Sequence, residues 1–308
     1  MNAVVAALLP IFLLIVMGFL LRRYLIEEDA HWIGLERLLY YVMFPALLIT
    51  TMARADLTKV PVLAVGATLF ASVMLVSALC FALRPALSRW LGADGPAFAW
   101  LFQGATRWQT FVALPLAGNL YGDLGLALAS VAIVAMTPVL NVLSVSVLVR
   151  SASRAKADWR SVLIAIARNP LIWACIVGAA LNPVNALVPG PINAVIDALS
   201  RSSLALGLLI VGAGLRIDEL ARLKPLTLPT CAIKLVIMPA VAISIARSFG
   251  LSGTNLAVIV CCTAVPTASN SYVLARQLGG DAPLMAQIIM IETVIAAVTL
   301  PFALALVS

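Results

Sequence analysis

Apolar blocks, each about 20 residues long, follow one another along almost the whole chain, and that is the length at which a helix crosses ~30 Å of hydrocarbon at 1.5 Å per residue. Of the 308 residues only 11% are charged and 63% are hydrophobic, against about 25% charged in soluble domains. So few charges cannot cover a soluble core of this size, so most of the surface must face lipid. In lipid every backbone amide needs an internal partner, which leaves helices or closed barrels. Barrel strands alternate apolar and polar residues, with about ten residues per strand. Continuous apolar blocks instead predict an all-α membrane protein.

Ten transmembrane helices are predicted, roughly at 4–22, 33–53, 61–83, 97–120, 124–149, 161–181, 192–215, 225–247, 254–275 and 284–307. Clusters of turn formers separate most of them, among them Gly92–Pro96, Tyr121–Asp123, Asn182–Pro191 and Gly279–Pro283. The longest polar stretch, Arg150–Arg160, reads as a loop joining two halves. Residues 1–150 then form a first five-helix repeat, 151–160 a cytoplasmic linker and 161–308 a second repeat. Arg22 and Arg23 follow the first apolar block and no Lys or Arg precedes it. A cleaved signal peptide has the reverse order, so the first helix is expected to be retained with Met1 outside.

Orientation follows from loop charge. Loops after odd-numbered helices hold Arg22, Arg23, Arg84, Arg89, Arg150, Arg154, Lys156, Arg160, Arg216, Arg222, Lys224 and Arg276. Loops after even-numbered helices hold only Arg54, Lys59 and Arg247. The odd loops are therefore expected in the cytoplasm and both termini in the periplasm of a bacterial inner membrane. The net charge of +7 is spread over these short loops and forms no basic face, so no nucleic-acid partner is expected.

The two halves share features in order. Pro10 and Gly18 recur as Pro170 and Gly178, Arg54–Ala55–Asp56 as Arg216–Ile217–Asp218, and Pro115–Tyr121 as Pro266–Tyr272, at separations of 160, 162 and 151 residues. Five helices per half is an odd number, so the second copy must be inverted. Inverted repeats mark secondary transporters.

Helices 4 and 9 carry the chemistry. Each has a central proline, Pro115 or Pro266, which removes a helical hydrogen bond and clashes with the preceding turn. Each follows it with Asn and Tyr: Asn119 with Tyr121, and Asn270 with Tyr272. Thr263, Thr267, Ser269 and Ser271 add polar groups to helix 9, and Gln103, Thr106, Arg107, Gln109 and Thr110 to helix 4. Broken helices expose free amide and carbonyl ends that attract ions and polar substrates; a plain kink with polar packing is the alternative. The expected substrate-binding residues are Arg107, Trp108, Gln109, Pro115, Asn119, Pro266, Ser269 and Asn270.

A charge at the bilayer centre costs ~3 kcal/mol or more, so it usually has a partner or a role. Lys234 in helix 8 and Glu292 in helix 10 are read as a coupling pair or an internal ion pair. Asp197 and Arg201 stand at i and i+4 on helix 7 and are expected to pair structurally. His31 reads as a solvated loop residue among Glu27, Glu28 and Asp29. The five cysteines lie in apolar blocks without metal spacing. No metal or other cofactor is expected. No phosphate-binding glycine loop and no nucleophilic serine turn is present. The chain therefore reads as neither an ATP-driven pump nor an enzyme.

The stretches Phe111–Leu116, with Ala113 where a Gly is usual, Ala264–Ala275, Thr299–Leu300–Pro301 and Arg168–Asn169–Pro170–Leu171 resemble segments of the auxin efflux carrier family, which includes plant PIN exporters and bacterial malonate-type carriers. The resemblance covers the whole chain. It implies that helices 4 and 9 are broken and cross, with a scaffold of helices 1, 2, 6 and 7. It also implies a transport unit of helices 3–5 and 8–10, an elevator motion and a homodimer. Trp108 and Glu292 depart from the family pattern near the implied site. The combined expectation is a secondary carrier for a small organic anion, auxin- or malonate-like, coupled to a proton or sodium. A passive channel or uniporter and a membrane-embedded sensor are the alternatives.

Overall fold

The computed structural model describes residues 2–54, 60–93, 95–152, 164, 167–182, 190–215, 223–268, 271–272 and 281–307. All regular structure among them is helical. In chain order the helices are α1 Asn2–Tyr24, α2 Asp29–Leu38, α3 Phe44–Arg54, α4 Val62–Leu91, α5 Gly95–Thr106, α6 Thr110–Ala152, α7 Pro170–Leu181, α8 Gly190–Ala213, α9 Thr227–Ala232, α10 Met238–Ser248, α11 Gly253–Thr263 and α12 Ala282–Ala305. Two π-helical turns, Leu39–Met43 and Ile233–Ile237, join α2 to α3 and α9 to α10 without a break.

Among the described residues, six helical stretches are long and apolar enough to cross a membrane. Two shorter apolar helices, α7 and α11, accompany them. Exposed Leu75 of α4 and Val294, Val298 and Phe302 of α12, together with Leu13 and Leu20 of α1, are the side chains that lipid rather than water would cover.

Local chemistry sets the helix ends. Gly92 closes α4 in the left-handed region at φ 61°, the usual glycine end. The Asn169 side chain accepts from the Leu171 and Ile172 amides and Pro170 takes the first helical position. Asp281 caps α12 through the Leu284 amide. The turn expected at Tyr121–Asp123 is a reversal inside α6, at Gly122 with φ 59° and ψ −145°. Beyond it a Cβ on Gly125 would lie 2.1 Å from the Ala117 carbonyl oxygen, so only glycine allows the two arms to meet.

Helix packing is close where the sequence repeat placed its glycines. A Cβ on Gly18 of α1 would fall 2.1 Å from Leu209 O of α8, and one on Gly178 of α7 would fall 2.8 Å from Ile49 O of α3. His31 lies inside α2, not in a loop. Its helix starts at Asp29, because the acidic run Glu27–Glu28–Asp29 favours a helix N-terminus. Asp197 does not pair with Arg201; it reaches across to Arg54 at 2.9 Å. The fork of Arg54 engages both carboxylate oxygens, a geometry stronger than a single contact along one helix.

Candidate functional site

Two non-helical segments meet inside the protein. The first, Arg107–Gln109, separates α5 from α6, and the second follows α11 at Ala264–Ala268. One hydrogen bond joins them directly, and a second ties the later segment to the last turn of α5. The Gln109 amide donates to the Pro266 carbonyl at 2.9 Å, and the Thr267 hydroxyl donates to the Gln103 carbonyl at 3.1 Å. The Thr267 amide donates to Glu292 Oε2 at 2.7 Å. A third helix thus holds the second break in place.

The first break is not at Pro115. Pro115 lies within α6, where it removes one hydrogen bond without ending the helix. The interruption falls where Gln109 finds a partner outside its own helix. Breaks at 107–109 and 264–268 lie at a separation close to the 160 and 162 of the other repeat matches, not the 151 that set Pro115 opposite Pro266. Asn119 is accordingly exposed, well past the break. Pro266 is buried within the second break. Ser269 and Asn270 lie outside the described residues, as do Arg216–Asp218 of the repeat.

Beside the crossing a cleft of about 110 Å³ is lined by Arg107, Trp108, Gln109, Thr110 and Phe111 from the first break, and by Ala268 from the second. Its other wall is Glu36 and Tyr40 from α2 and its π turn, Thr137, Leu140 and Asn141 of α6, and Asn169 and Leu171. The volume is well under the roughly 300–1,000 Å³ of sites for drug-sized ligands, so it suits a small molecule. Trp108 and Gln109 are buried and Arg107 half-buried. The Arg107 guanidinium donates to Gln103 Oε1 at 3.3 Å and is within electrostatic reach of Tyr40. The N-terminus of α6 opens at Thr110 into the same cleft, where free amides and the helix dipole favour negative charge. Cation and dipole together suit a carboxylate, with Trp108 supplying an apolar face.

Glu36, Tyr40, Thr137, Asn141 and Asn169 are lining residues that the sequence reading did not select. Asn169 could have been found, since Asn-Pro before an apolar run is a helix-start signal. Tyr40 is placed by a π turn, which hydrophobic periodicity does not reveal.

Lys234 and Glu292 are both fully buried and line no part of this cleft. They interact electrostatically, but no hydrogen bond closes between them, since Lys234 Nζ and Glu292 Oε1 have no partner.

A second cleft, of about 310 Å³, lies along α3 and is lined by Thr50, Thr51, Arg54, Asp123, Asp197 and Arg201, among others. Buried Phe44 packs edge-on against Phe111, which lines the first cleft, with ring centroids 5.0 Å apart.

A polytopic helical protein with a polar cleft at two helix breaks belongs to the class of membrane transporters, and comparison with known proteins gives the family. Residues 3–304 match the model of the membrane transport protein family. The chain belongs to that family, the group of the auxin efflux carriers, and is a membrane transport protein. An uncharacterized transporter of Methanothermobacter thermautotrophicus is 25% identical to it over 296 residues, covering 95% of both chains.

Proposed function

We propose that this protein is a secondary active carrier of a small organic anion, a carboxylate of the auxin or malonate kind. The observation that carries the reading is Arg107 in the cleft beside the N-terminus of α6, at the meeting of two broken segments. Ten spans in two inverted repeats fit the chain, with the boundaries at 150 and 160 given above. Gly18 packs α1 on α8 while Gly178 packs α7 on α3, an exchange of partners that supports the repeat. The predicted orientation puts both termini in the periplasm of an inner membrane.

Two separate clefts, one lined by Glu36 and Tyr40 and the other by Leu47, Thr50, Thr51 and Arg54 of the same continuous helical stretch, favour alternating access over an open pore. An elevator motion of helices 3–5 and 8–10 against helices 1, 2, 6 and 7, in a homodimer, is the form we adopt. Ser269 and Asn270 join Arg107, Trp108, Gln109 and Pro266 in the proposed site by their place in the chain, next to Ala268. A thermal-shift screen of small organic acids on the purified protein tests the reading, because a ligand of the folded state raises its stability. At least one carboxylate should stabilise the wild type and fail to stabilise Arg107→Gln. Equal stabilisation of both proteins would remove Arg107 from the site.

A further inference from the structure

Behind the crossing lies a second polar cluster that the cleft does not reach. Lys234 sits in the π turn between α9 and α10, fully buried, with no hydrogen bond from Nζ. An ammonium at such depth is costly unless something compensates it. The compensating charge is Glu292, also fully buried, on α12. Glu292 turns Oε2 to the Thr267 amide at the second break and keeps Oε1 without a partner. Gln103 Nε2 is likewise buried and unpartnered, while its Oε1 accepts from Arg107 and its carbonyl accepts from Thr267. Among the described residues the other titratable neighbours are Cys262 of α11 beside Lys234, and Cys231 of α9 beside Glu292.

A carboxylate next to an unwound segment at membrane depth is the kind of setting in which transporters hold a monovalent coupling cation. Here a positive charge of the same magnitude is already tethered beside that carboxylate. We propose that the ammonium of Lys234 takes the place of a coupling metal cation, so that the folded protein needs no dissolved sodium or potassium at this site. Removing the amine converts the site into one that binds such an ion. The hydrogen-bonded chain from Arg107 through Gln103 and Thr267 to Glu292 makes the cluster a positioning element for the cleft. The consequence for transport, a sodium-independent cycle, rests on the carrier reading; the site itself does not.

The test uses the purified full chain and no substrate. Melting temperature is measured in NaCl, KCl and choline chloride at equal ionic strength. The wild type should melt alike in all three. Lys234→Ala should melt lower in choline and be raised by several degrees in NaCl or KCl. Lys234→Ala/Glu292→Gln should lose that ion response. Lys234→Gln provides a second variant that keeps a polar end, one atom shorter, without the charge. Recovery of either variant only when sodium or potassium is present counts as the expected result. Specific stabilisation of the wild type by sodium overturns the proposal, as do variants that ignore the ions or that fold in none of the salts. Failure of the carrier reading would appear elsewhere, as an absence of any stabilising organic acid.

Discussion

Thr267→Val isolates the side-chain contact that ties the second helix break to α5 just before the first. The substitution keeps the side chain's shape and removes the hydroxyl that donates to the Gln103 carbonyl at 3.1 Å, across 164 residues of sequence. That carbonyl also accepts from the Arg107 amide at 3.0 Å, so the change leaves no buried acceptor orphaned. The expected cost is therefore one net hydrogen bond, about 0.5–1.5 kcal/mol, and not the 1–3 kcal/mol of an unsatisfied group. The control is Thr293→Val. Its hydroxyl bonds the Ile289 carbonyl one turn back in its own helix, so the loss should be within about 0.5 kcal/mol. All five cysteines are buried, which lets a fluorogenic thiol reagent report unfolding as temperature rises. Thr267→Val should melt clearly below Thr293→Val. Equal melting of the two would mean that the hydroxyl does not hold the breaks together. A loss above about 3 kcal/mol would refute the claim that Gln103 O stays satisfied.

Three further outcomes are expected. Gly212→Ala should destabilise by at least ~1–3 kcal/mol, because its Cβ would fall 1.8 Å from the Ile15 carbonyl oxygen; Gly190→Ala, with nothing within 4 Å, should be neutral or slightly stabilising in the same melts. The Arg54–Asp197 pair is partly exposed at 42% and 26%, so a double-mutant cycle should return only about 0.2–1 kcal/mol of coupling that fades with salt. A reporter active only in the periplasm should be active when fused after Ser308 and silent when fused after Lys156; the reverse would invert the assigned orientation.

Much of the architecture was legible because lipid leaves a chain few choices. Apolar block length and turn formers located most helices, and Gly122 sits where the Tyr121–Asp123 turn was expected. The helix breaks were less legible. Proline marks a local cost, yet Pro115 is absorbed within α6, and the break moves to Arg107–Gln109 because Gln109 can bond Pro266 there. No periodicity within helix 4 encodes a partner 157 residues away in the chain. The same limit explains Asp197, which the i, i+4 rule assigned to Arg201 and the fold gives to Arg54. Arg107, Trp108 and Gln109 were accessible from sequence, since charge and polarity inside an apolar block are themselves the signal. Tyr40 and Asn141 were not, because their part in the cleft depends on which helix faces the crossing.

The most direct test of the account is uptake into proteoliposomes. A radiolabelled carboxylate, chosen as the strongest stabiliser in the thermal screen, is supplied outside vesicles preloaded with the same unlabelled compound. Wild-type protein should exchange it well above empty vesicles. Arg107→Gln, matched for amount and melting behaviour, should weaken its binding by roughly 10–150-fold, the equivalent of losing a charge-assisted contact of about 1.5–3 kcal/mol. Exchange by Arg107→Gln at the wild-type concentration dependence, or no exchange by the wild type, would contradict the anion-carrier account.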